Sequence, residues 1–281
     1  MEDDGLFGPG SVSWRVYCDP AMWVAAFYAL AVQSLHPPTM WGTYQHSTLF
    51  VRRHALARLL RTADFVAVRT FGTDAEVDRA ARRVRGIHAR LRGRNPETGA
   101  EFRIDDSVNL LWVHCGEVLS YLEIARRVGL LDEAEADTFV DEQRRAAAVV
   151  GLAPSTVPGS VAELDAYVSR MRPGLRVTPE ARAGFRMWAN TPAPARLVAL
   201  RVVYPMLAVL GFALLPGWAR RCYGLPAGGP VGDAVATAAL RLVRRAMLVL
   251  PVRLRGTAEQ MRLITRAGAA ERQVRTGRRC G

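Results

Sequence analysis

The chain has 281 residues, half of them hydrophobic, with a net charge of +12; it is long enough to bury a substantial core and too apolar for default disorder. All 38 basic residues are Arg, which excludes Schiff-base and Lys-nucleophile chemistry. Cys18, Cys115, Cys222 and Cys280 stand apart without a C-x-x-C pair, so neither a zinc site nor a disulfide framework is indicated.

The opening MEDDGLFGPG is acidic and has no apolar run, so no signal peptide and a cytoplasmic location are expected. Residues 1–18 read as an irregular lead-in. Asp19-Pro20 then presents a helix cap followed by Pro at the first helical position. The helix AMWVAAFYALAVQSL is apolar almost all round, hence deeply buried or membrane-facing. His36-Pro37-Pro38 ends it, because the residue before Pro is pushed out of the helical region. Residues 36–50 form a loop or short helix.

The stretch from 51 to 122 predicts three successive helices around which the chain is organised. Gly72 closes the first, Thr73 and Glu76 make a capping box for the second, and Asp105 or Asp106 caps the third. Residues 93–104 read as a turn with a short hairpin. An exposed helix is expected at about 132–150. Ser160 with Glu163 signals another start, and Thr178-Pro179 one more. After the loop TPAPA, the uncharged run VVYPMLAVLGFALLPGWA approaches the length of a bilayer span. Pro205 and Pro216 argue instead for two short buried helices or one dipping into a membrane interface. ALRLVRRAMLVLPVRL is amphipathic, a last helix begins near Thr257, and RQVRTGRRCG is a loose tail.

No strand pattern of any length stands out. The expected fold is all-α in one domain, with a core over 1–192 and an apolar, Arg-rich part over 193–281 packing on it. From residue 181 onward 17 Arg face three acids, Asp233, Glu259 and Glu271. The basic character thus belongs to the last third, and it points to an anionic surface or to solvated helix faces. These Arg are mixed with Leu, Val and Met and accompany no reader motif, which favours peripheral contact with a membrane face over nucleic acid.

In the first helix of the trio, Arg58, Arg61, Thr62 and Phe65 are spaced i, i+3, i+4, i+7 and share one face. In the second, His88 falls where the series Val77, Ala81, Val84, Leu91 calls for an apolar residue; His114 does so in the third among Leu110, Leu111, Val118 and Tyr121. The chain holds no Gly-rich phosphate loop, G-x-S-x-G or H-E-x-x-H. Glu117, three residues after His114, is too little for a di-iron bundle. An inward His is a satisfied core residue or a ligand. Haem asks for an axial nitrogen, an apolar slot and cations for two propionates. His88, its aliphatic neighbours and Arg58, Arg61, Arg85 or Arg92 supply that set.

The runs WRVYCDPAMWVAAFYALAVQSLHP, QHS, RLLRTADFV, VRGIHARLRG and DDSVNLLWVHCGEV, in that order over about residues 7–190, resemble the bacterial MpaB-type oxygenases, whose superfamily includes the latex-clearing (rubber) oxygenases. The resemblance implies an all-α fold, bound haem b and oxygenase chemistry with O₂. Through the H-A-x-[LV]-R motif it implies His88 as the proximal iron ligand. Through R-x-x-[RK]-T it implies Arg58, Arg61 and Thr62 on the distal or propionate side. The rubber oxygenases carry Lys at the fourth position of that motif, where this chain has Arg61. A guanidinium stays protonated and ligates metal poorly, so Arg61 is left to donate hydrogen bonds to dioxygen or a propionate. His114 is the competing ligand or a pocket-lining residue. His36 and His46 also match family motifs, with a hydrogen-bonding role as the alternative. The function expected is a haem b-dependent oxygenase that oxidises or cleaves a hydrophobic, unsaturated small molecule or lipid with an electron donor. The alternatives are a haem sensor or carrier without turnover and a non-enzymatic peripheral membrane protein.

Overall fold

A computed structural model of the protein describes residues 5–51, 53–189 and 198–277. In chain order the helices are α1 (Val12–Cys18), α2 (Met22–Gln33), α3 (Pro37–His46), α4 (Ala55–Phe71), α5 (Asp74–Arg90), α6 (Ser107–Arg127) and α7 (Glu133–Val150). They continue with α8 (Val161–Met171), α9 (Pro179–Ala189), α10 (Val198–Ala213), α11 (Gly217–Cys222), α12 (Pro230–Val249) and α13 (Ala258–Gly277). The sheet among the described residues is one antiparallel hairpin, β1 (Arg92–Arg94) and β2 (Glu101–Arg103), with Gly93 opposite Phe102. The fold is therefore mainly all-α, in a single domain.

The centre is α2 rather than the α4–α6 trio. It carries no charge and buries Val24, Ala25, Phe27, Tyr28, Ala31 and Val32. A helix apolar on every side must be enclosed, and α6 and α10 enclose this one. Small residues let them approach: a Cβ on Gly116 would sit 3.0 Å from Gln33 Cγ, and one on Gly211 3.0 Å from the Tyr28 nitrogen. The apolar run beyond residue 200 divides into α10, which ends at Ala213, and α11, entered through Pro216. Among the described residues no helix is long and apolar enough to cross a membrane.

Several local readings change. Pro20 does not open α2, which starts at Met22 after Ala21, and Asp19 Oδ1 accepts from Ala21 N at 2.9 Å. The lead-in expected to be irregular contains α1, whose start is held by Ser11 Oγ accepting from Trp14 N at 3.0 Å. Glu142 of α7 accepts from Val12 N and Ser13 N at 3.3 and 2.7 Å, so a carboxylate from a distant helix completes the cap. The helix at 132–150, expected to be exposed, buries Ala136, Phe139, Val140 and Ala146 against α1, α5 and α6. Residues 191–195 lie outside the described residues. Of the expected loose tail, 272–277 belong to α13 and 278–281 lie outside the described residues.

The last helix returns to the trio. α13 packs on α4, and Arg266 grips Glu76 with hydrogen bonds of 2.7 and 2.9 Å. That same Glu76 closes the capping box of α5, accepting from Thr73 N at 2.9 Å while Thr73 Oγ1 accepts from Glu76 N at 3.3 Å.

Candidate functional site

α4 presents the motif residues in register. Arg58 donates to Thr62 Oγ1, and the Thr62 hydroxyl returns a 3.1 Å bond to the Arg58 carbonyl one turn back. Arg58 is half-buried; Arg61 and Thr62 are exposed, and Arg61 reaches back to Thr48 Oγ1 at 3.4 Å. Burial and the charge of Arg61 both lower the Arg58 pKa.

His88 of α5 lies within electrostatic reach of Arg58. Along the apolar face of α5, Val77 and Ala81 are covered by Phe65, Leu6 and Val149. Further on, Val84, His88 and Leu91 are only half-buried, so the stripe loses its cover toward the C-terminal end. The His88 Nδ1 is buried with no hydrogen-bond partner. Burial depresses the His88 pKa and the Arg58 charge adds to this, against the opposing pull of Asp105. The ring is thus neutral at pH 7, the form a metal ligand requires.

His114 is the deeper imidazole, only 5 % exposed, with Nε2 buried and unpartnered. Burial pushes its pKa down to about 4, Glu117 opposing and Arg69 assisting. It shares its face of α6 with Glu117 and Tyr121, inside the core, where a macrocycle would have to displace packed side chains. His88, half-buried at the end of its stripe, asks for less displacement. A neutral ring with an orphaned nitrogen, an apolar stripe and an adjacent guanidinium fit one axial haem ligand.

The other candidates have local duties. Arg85 donates to the Val149 carbonyl at 3.2 Å and caps the end of α7. Arg92 donates to the Ala89 and Leu91 carbonyls at 2.8 and 2.9 Å. His36 Nδ1 is 2.9 Å from Thr39 Oγ1 at the start of α3, and His46 donates through Nε2 to the Arg92 carbonyl at 2.7 Å.

A charged cluster that sequence reasoning missed lies deeper. Arg69, on the next turns of α4, is 3 % exposed. It donates to both Glu117 oxygens at 2.6 and 3.1 Å and to Tyr17 Oη at 3.0 Å. The Tyr17 hydroxyl donates to Glu117 at 2.9 Å, and its ring stacks on Tyr121 with centroids 4.7 Å apart. Burial alone would raise the Glu117 carboxyl, but Arg69 outweighs it and holds the pKa below the usual range. The available signal was one charge inside each of two apolar runs, FVAVRTF and WVHCGEVLSYL.

Glu117, Tyr17 and Tyr121 form the polar end of a cavity of about 130 Å³ between α2, α4 and α6. Its walls include Met22, Trp23, Leu59, Val66 and Phe71. Thr62 lines it and His88 does not. Arg58 thus binds Thr62 at the cavity wall and acts electrostatically on the His88 imidazole. Among the described residues no three His, Cys, Asp or Glu side chains converge as a metal cage; a porphyrin brings four nitrogens of its own and asks the protein for an axial one.

Residues 14–251 match the family described as ER-bound oxygenase mpaB/B'/Rubber oxygenase, catalytic domain. No curated protein and no solved structure matches the chain.

Proposed function

The chain belongs to the mpaB/rubber oxygenase family, and from that membership we propose that it is a haem b-dependent oxygenase acting with O₂ on a hydrophobic, unsaturated small molecule or lipid. The observation that carries the reading is the neutral, half-covered His88 with its orphaned nitrogen beside Arg58. When bound, the iron porphyrin supplies activation of dioxygen, which the protein side chains lack.

The chain's own residues do the rest. His88 of α5 would hold the iron, and burial keeps its ring unprotonated. Arg58 holds Thr62 at the cavity wall and presents its charge toward the His88 side. Arg61, exposed on the same helix, would supply a donor for a propionate or for dioxygen, and Arg92 opens β1 four residues after His88. The cavity is smaller than the ~300–1,000 Å³ of common ligand pockets, so it suits a slim aliphatic segment lying along Met22, Leu59 and Val66. The place of work consistent with this substrate is a membrane face on the cytoplasmic side.

Absorption spectra of protein expressed with added haemin test the assignment. The wild type and His114→Ala are expected to show a Soret band, and His88→Ala to lose it. A band that survives His88→Ala and disappears in His114→Ala transfers the ligand to α6; colourless wild-type protein ends the haem reading. Oxygen uptake with an unsaturated apolar substrate then separates turnover from mere carriage.

A further inference from the structure

α12 is two-faced. Its inner positions Ala236 and Leu240 are buried, and Arg127 of α6 pairs with Asp233 at 2.8 Å to hold it down. On the outer face Val231, Val235, Leu242 and Val249 follow one another at steps of four and seven residues, hence along a single line. They are left in solvent: Val231 is 79 %, Leu242 68 % and Val249 85 % exposed. The apolar surface continues past the helix end through Leu250, Val252 and Leu254, all exposed. Single exposed aliphatics are ordinary, but a continuous line of them marks an interaction surface.

Its charges are of one sign. Arg241, Arg245 and Arg253 are exposed along this line, and none of them pairs with a carboxylate among the described residues. Aliphatic side chains rimmed by unneutralised guanidinium groups match an apolar layer beneath anionic headgroups.

We propose that the outer face of α12, with the turn Val252–Leu254, docks on the surface of an anionic phospholipid bilayer. The helix lies parallel to the surface, immersing its Val and Leu line while Arg241, Arg245 and Arg253 meet phosphates. Arg255 and Gln260, just past the turn, line the α2/α4/α6 cavity, and Trp23 in its wall donates to the Arg255 carbonyl at 3.0 Å. Docking therefore brings the rim of the cavity to the lipid, so an apolar substrate passes into it without crossing water. This last step rests on the oxygenase reading; the docking itself does not.

The test is co-sedimentation of the full chain with phosphatidylcholine vesicles, with and without phosphatidylglycerol. Wild-type protein is expected to sediment with the anionic vesicles. Arg241→Gln, Arg245→Gln and Arg253→Gln together weaken that binding roughly a hundredfold at low salt, from about fivefold per cation. Leu242→Glu with Val249→Glu abolishes it while circular dichroism stays unchanged, since both side chains sit in solvent. Wild-type protein that stays in the supernatant overturns the proposal, as does undiminished binding by both variants. A lipid-independent dimer that Leu242→Glu with Val249→Glu dissociates also overturns it, assigning the face to a second copy. Neither readout needs haem or turnover: colourless protein that sediments ends the oxygenase reading alone, and haem-loaded protein that does not ends the docking alone.

Discussion

Arg69 and Glu117 are tolerable inside the protein only as a pair. Each ion's desolvation is offset by the other and by Tyr17. Arg69→Met is expected to cost about 3–5 kcal/mol, because it strands a buried carboxylate. Adding Glu117→Leu should return much of that loss, which denaturant unfolding of the wild type, the single and the double variant would show. If the double variant is no more stable than the single, the pairing account is wrong. The sequence presents the two residues 48 positions apart. Helical periodicity tells which face a side chain occupies but not which distant helix meets it, so the pair escapes a reading by spacing. The α4 motif was legible for the same reason: Arg58, Arg61 and Thr62 are neighbours on one helix, and the structure keeps Arg58 on Thr62.

At the scale of elements, the helix starts written in local chemistry could be read and those completed from afar could not. Thr73 with Glu76 caps α5, and Asp106 caps α6 through Val108 N at 2.9 Å. Ser160 caps α8, but Glu163 turns to Gly159 N at 2.8 Å instead of closing the box. α1 was missed because seven residues give too little periodicity, and beside its local Ser11 cap two of its first amides are satisfied from afar by Glu142. The buried side of α7 was missed because Ala136, Ala146 and Ala147 are small enough to suit solvent as well, and Glu142 and Gln143 on that side are polar. Glu76 joins two elements, since Arg266 of α13 holds its pKa down to about 2 from an ordinary 4.5. A carboxyl with a depressed folded pKa stabilises above 4.5 and loses that contribution as pH falls toward 2. Glu76→Gln is expected to cost about 1 kcal/mol at neutral pH and almost nothing in strong acid. Equal losses at both ends of the range would show that the α13 contact is not ionic.

For the whole molecule, the acid limit is set by imidazoles kept neutral. Burial pushes His114 and His36 from 6.5 to about 4. The unfolded chain takes up those protons near 6.5 and the folded one only near 4, so stability is intact above the window and falls through it. His114 alone accounts for a loss on the order of 3 kcal/mol across that range. Thermal melts of His114→Gln should show a shallower decline between pH 6.5 and 4 than the wild type; an unchanged slope would relieve His114 of the role. An all-α chain was plain from the absence of alternation, yet its middle was misplaced. α4–α6 hold the chemistry-bearing side chains, but the segment with no polar side at all had the stronger claim to the interior. That segment is α2, early in the chain, whereas α6 and α10, which wrap it, come much later. During synthesis its bare greasy rod leaves the ribosome long before either cover exists. The nascent polypeptide therefore needs a chaperone's shelter, or a nearby lipid surface, until the tenth helix has been translated.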